Sequence, residues 1–154
     1  MIILFREPLA HATSLLEKHK QYSILQKEDP FVLEYMNWLG HYEFGLNHKP
    51  FNFENSSTNE HTIDSLDYWI QNWINYYRYA LKQGHENTLF VQYEAYCESP
   101  NETLKRILYK TSIKSDQGRI DSFQNKRKVE YSYSQDLYQI STNIYEKLSS
   151  KSIS

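Results

Sequence analysis

Arg6, His11, Ser14 and Lys18 are the residues whose types and spacing are best suited to chemistry. Arg6 closes the apolar run Ile2-Ile3-Leu4-Phe5, and Pro8 opens the segment that follows. In α/β sheets, ligands gather beyond the carboxyl ends of the strands, and Arg6 is expected at such an end. Its planar fork of donors matches a phosphate bidentately, and its charge does not titrate away. Ser14 adds a hydroxyl donor. A helix would carry His11 and Lys18 on the same face as Ser14, at the three- and four-residue spacings. Such a face suits a phosphorylated ligand, although an ordinary helix with solvated polar side chains shows the same pattern. Lys126-Arg127-Lys128 is the only dense basic cluster, and a solvated charged loop accounts for it as well.

The histidines say less. His11 alone shares a helix face with Ser14, and its ordinary pKa would permit acid–base work near neutrality. His48, His61 and His85 fall in loops, and no spacing among them suits a metal site.

These residues need elements to hold them. Ile2 to Phe5 reads as a buried strand, and a helix from Pro8 to about Gln26 follows it. Asp29-Pro30 starts a second helix with Val32, Met36 and Leu39 on one face, Tyr35, Trp38 and Tyr42 lying beside them. Asn47 to His61 reads as a polar loop. Leu66, Trp69, Ile70, Trp73, Ile74, Tyr77, Ala80 and Leu81 keep an unbroken three-four spacing, and Gly84 is expected to end that helix in a left-handed cap. Thr88 to Tyr93 reads as a second buried strand. Ser99-Pro100-Asn101-Glu102 has the form of a capping box. Ser115 to Tyr133 is irregular and charged, and a last helix uses Leu137, Ile140, Ile144, Tyr145 and Leu148. The pattern is α/β, one domain over residues 1–150 with a tail at 151–154.

The strand, Arg6, seven residues and Ser14 resemble the sulfotransferase element that holds the 3′-phosphate of 3′-phosphoadenosine 5′-phosphosulfate. Asp29-Pro30-Phe31 and Tyr35-Met36-Asn37-Trp38 resemble bacterial members of that family. Phe90-Val91-Gln92-Tyr93-Glu94, with Ser99-Pro100 and Leu104, is similar to its strand ending in Tyr-Glu before a proline-capped helix. The resemblance implies a P-loop-type parallel sheet, incomplete here, with a predominantly helical remainder. It makes Tyr93 a contact near the adenine, Glu94 a structural residue, and Lys126, Arg127 and Lys128 a cover for the 3′-phosphate, although the family's glycine is missing after them. The sulfate donor would be the cofactor. A small-molecule, carbohydrate or lipid hydroxyl or amine would be the acceptor, with Trp38 and Tyr42 near its pocket unless they pack the core.

The same resemblance implies an absence. Family members hold the 5′-phosphosulfate on a small-residue loop between a strand and a helix, with a Lys or Arg. None of Gly40, Gly45, Gly84 and Gly118 follows a strand into a helix in that way. The loop is expected before Ile2, the catalytic base is unassigned, and the central strand is expected between the two that remain. A sheet without its centre would expose edges and apolar surface, so self-association or a need for a missing N-terminal segment is expected. A truncated, non-catalytic nucleotide-binding or interaction module is the competing expectation, and an unrelated helical binding protein is the third.

Bulk properties set the outer bounds. Apolar residues make up 40% of the 154 and aromatics 16%, enough for a core of useful size. A formal charge of -2 argues against nucleic acid as a partner. Cys97 is the only cysteine, so no internal disulfide forms and a reducing, cytoplasmic setting is expected. The apolar run at Met1 to Phe5 is too short to span a membrane.

Overall fold

A computed structural model describes residues 1–53, 61–115, 120–122 and 130–153. The element order is β1 (Ile2–Phe5), α1 (Pro8–Glu28), α2 (Pro30–Trp38), α3 (Leu66–Gln83), β2 (Leu89–Gln92), α4 (Tyr93–Glu98), α5 (Pro100–Thr111) and α6 (Gln135–Ser149). The chain is therefore mixed α/β and mostly helical. Its named strands form a two-stranded parallel sheet. None of the described helices is long and apolar enough to cross a membrane.

The core is built around α3. Leu66, Trp69, Ile70, Trp73, Ile74, Tyr77 and Ala80 are buried, as their spacing predicts. α1 and α6 pack against this helix, and they contribute the fully buried Leu16 and Leu148. Ser65 caps α3 by accepting the Tyr68 amide at 3.3 Å. In the same first turn, the Asp67 carboxylate accepts the Ser134 amide at 2.8 Å. Ser134 is itself the N-cap of α6, so one contact registers the two helix starts.

The sheet departs from the expected one. β1 pairs directly with β2, from Ile2↔Leu89 to Phe5↔Gln92, so no strand lies between them. On its far side β2 meets the chain terminus: Phe90 bridges Ser152 in parallel, and the Ile153 amide donates to the Phe90 carbonyl at 3.0 Å. Continuous apolar sequence predicted a strand buried on both faces. Only Ile3 and Phe5 are buried, while Ile2 and Leu4 are 49% and 52% exposed.

Three local expectations also change. Gly84 follows α3 with φ −61° and ψ 122°, which is extended and not left-handed. Its smallness has another use, because a Cβ there would stand 3.1 Å from the Ala80 carbonyl oxygen and 3.4 Å from the Phe90 ring. Ser99 precedes α5, but its side chain makes no capping bond. Its amide donates to the Ala95 carbonyl at 3.0 Å, which removes the donor Glu102 was to accept. The Glu102 carboxylate pairs with Lys105 at 2.8 Å instead. In α2 only Met36 is buried, and Trp38 is 70% exposed.

The segment after α2 folds back onto α1 through Gly45. Its φ is +87°, and the Gln26 side-chain amide occupies the place a Cβ would take. That amide accepts the Leu46 amide proton at 2.6 Å and donates to the Met36 sulfur at 3.1 Å. Gly45→Ala therefore meets left-handed strain and displaces a buried hydrogen-bonding group. Denaturant unfolding is expected to show a loss of roughly 2–4 kcal/mol. An unchanged midpoint would mean that this turn is not held as described.

Candidate functional site

The parallel register brings the ends of β1 and β2 together. Phe5↔Gln92 is the last rung, so Arg6 and Tyr93 leave the sheet side by side. The Arg6 guanidinium carbon lies 5.0 Å from the centroid of the Tyr93 ring. A guanidinium over an aromatic face gains a cation–π attraction, and its planar fork matches an oxyanion in shape. The Tyr93 phenol is held above its usual pKa, first by a hydrogen bond with Cys97 and then by burial. Cys97 itself is buried in α4.

A carboxylate holds the two turns in place. Glu94 accepts the Glu7 amide at 3.0 Å through one oxygen and the Tyr145 hydroxyl at 3.0 Å through the other. The Tyr145 hydroxyl also accepts from the Gln92 side chain at 2.7 Å. Glu94 is thus structural, joining the exit of β1, the exit of β2 and α6. Glu7 caps α1, accepting the Leu9 and Ala10 amides at 3.1 and 2.7 Å. These helix amides are already engaged, so an anion at this edge would rest on side chains.

The other candidates are placed unevenly. Ser14 is half-buried in α1, and no hydrogen bond joins it to Arg6 or Tyr93 among the described residues. Lys18 is exposed and donates to Gln21 at 2.9 Å, away from any shared grip with Arg6. Lys126, Arg127 and Lys128 lie outside the described residues. Tyr42 lines a cleft between α1 and α3, but Trp38 does not. Among the described residues no cluster of three or more His, Cys, Asp or Glu side chains is arranged to hold a metal.

His11 is the residue whose environment changed most. Burial, and after it the Arg6 charge, lower its pKa from 6.5 to about 4, so the ring is neutral at ordinary pH. Burial also lowers His19 and His48. The Gly45 amide donates to His19 Nδ1 at 3.2 Å. His48 Nδ1 lies 3.1 Å from the Tyr42 carbonyl, and its Nε2 lies 2.9 Å from the Tyr68 hydroxyl. The carbonyl must accept from Nδ1–H, so Nε2 accepts from the phenol. Sequence spacing missed the His19–His48 contact because the two rings meet only when the 40–51 segment folds back on α1.

No protein-family model, curated protein or solved structure matches this chain.

The histidines set a pH dependence. Each has a folded pKa below its unfolded value, so the unfolded chain binds protons first as pH falls. Stability is then highest above the unfolded pKa and declines below about pH 6.5. Unfolding midpoints at about pH 7 and about pH 5 should show it. For His11 alone the loss over that interval is about 2 kcal/mol, and His11→Gln should lose less than the parent by about that amount. Parallel pH profiles would contradict the assignment.

Proposed function

We propose that this chain is the C-terminal part of a sulfotransferase that uses 3′-phosphoadenosine 5′-phosphosulfate, with a P-loop-type sheet. One observation carries most weight. Arg6 and Tyr93 come from the two family-like segments, far apart in sequence, and they meet at the carboxyl end of a parallel strand pair, 5.0 Å apart. Ligands of α/β sheets bind at that edge.

In this reading Arg6 and Ser14 hold the 3′-phosphate, Tyr93 stands near the adenine, and Lys126, Arg127 and Lys128 add positive charge for the phosphate. The residues fit the nucleotide in type. Arg6 brings a fixed cation, and a neutral His11 beside it adds no competing charge. The nucleotide, when bound, supplies an activated sulfuryl group for a hydroxyl or amine acceptor. The side chains here bind and orient its distant end, a contribution of positioning and electrostatics. No glycine-bearing strand-to-helix loop for the 5′-phosphosulfate is found in this sequence. That favours a non-catalytic nucleotide-binding module as the second reading for this chain alone.

Calorimetry with 3′-phosphoadenosine 5′-phosphate, using adenosine 5′-monophosphate as control, tests the common core of both readings. The bisphosphate is expected to bind more tightly. Arg6→Ala should weaken it by about tenfold to a hundredfold, the worth of charge-assisted hydrogen bonds, and Arg6→Lys should recover only part. Equal affinity for the two nucleotides, or indifference to Arg6→Ala, would remove the proposal. Labelled sulfate donor with a panel of alcohols and amines then separates the readings, since the module predicts no transfer.

A further inference from the structure

A cleft of about 550 Å³ opens between α1, α3 and the 40–51 segment, apart from the Arg6–Tyr93 edge. Its size is that of a small-molecule site. Aromatic rings make most of the wall, among them Phe44, Phe51, Trp73, Tyr76 and Tyr77. Two further polar atoms belong to rings of this wall: His11 Nδ1 and Trp73 Nε1 are buried and hydrogen-bond to no described residue. Native proteins pair nearly all such atoms, and each orphan costs about 1–3 kcal/mol.

Both rings flank Tyr77, with centroids 6.4 Å away for His11 and 4.5 Å for Trp73. The Tyr77 hydroxyl gives its proton to the Leu4 carbonyl at 2.9 Å, so it has none to donate to His11 Nδ1. Trp73 Nε1 only donates, while neutral His11 carries one donor and one acceptor. Charged groups on the lining are already engaged. Lys49 lies 4.0 Å from the Tyr42 ring centroid, and Glu43 pairs with His41 at 3.2 Å. A charged ligand would gain little here, and a flat one could lie against the rings.

We infer that this cleft binds a small, uncharged, planar ring compound with a hydrogen-bond acceptor beside a donor, as in a cyclic amide. The acceptor takes the Trp73 indole proton, and the donor gives to His11 Nδ1. Both atoms lie behind the cleft surface, so the ligand meets them after small rotations of the wall rings. The site is independent of the nucleotide reading and would stand without it.

The probe is 2-quinolone, compared with its N-methyl derivative and with quinoline-2-carboxylate. Binding is followed through the indole N–H resonances of the three tryptophans. Saturable binding of 2-quinolone is expected, with the Trp73 resonance, assigned through Trp73→Phe, moving most. The N-methyl derivative, which has lost one donor, should bind roughly three- to tenfold more weakly, and the carboxylate more weakly still. His11→Phe should erase the preference for 2-quinolone over its N-methyl derivative. If either variant fails to fold, by circular dichroism, the three-probe comparison on the unaltered chain decides alone. No saturable binding, equal affinity for 2-quinolone and its N-methyl derivative, or tightest binding of the carboxylate would overturn the assignment.

Discussion

Two strands of four residues, held in parallel register across most of the chain, make too small a sheet to stand unaided. The Glu94 carboxylate supplies what the ladder lacks. One oxygen fixes the Glu7 amide beyond β1 and the other fixes Tyr145 on α6. Any slip of β1 against β2 would strip a charge-assisted bond from a partly buried carboxylate, a costlier loss than a rung of the ladder. The Arg6–Tyr93 pair and the Glu7-capped start of α1 both adjoin that restraint.

From there the fold is organised by α3. Its buried face receives α1 and α6, and its Tyr77 hydroxyl reaches across to the Leu4 carbonyl on β1. This contact satisfies a backbone acceptor that a further strand would otherwise take. The same helix carries the aromatic wall of the cleft. The Arg6–Tyr93 edge and the cleft thus share β1 and α1, with His11 near both Arg6 and the Tyr77 ring.

Legibility in the sequence followed the range of the interaction. The three-four spacing of α3 predicts most of its buried face, with Leu81 only partly buried and Tyr68 and Asn75 added, because a helix periodicity needs only neighbours on the same turns. Pro8 and Pro30 likewise mark the starts of α1 and α2. Features that depend on competition for one donor were harder to read. The Ser99 capping box fails because Ala95 reaches the same amide first. Gly84 answers to the distance of the Phe90 ring, not to its own dihedral freedom.

By itself the sequence determined the helices other than α4, both strands, the cap at Asp29, and the residue types suited to a phosphate at Arg6 and Ser14. These rest on local geometry and on chemistry carried by each side chain. Only the tertiary structure decided that β1 lies directly on β2, that Glu94 bridges three elements, and that His11 faces rings which leave it neutral. It also decided which apolar residues stay exposed, since Ile2, Leu4 and Trp38 look like core in sequence and lack a covering layer in space. Each depends on desolvation and on partners distant along the chain, which no local pattern of residues encodes.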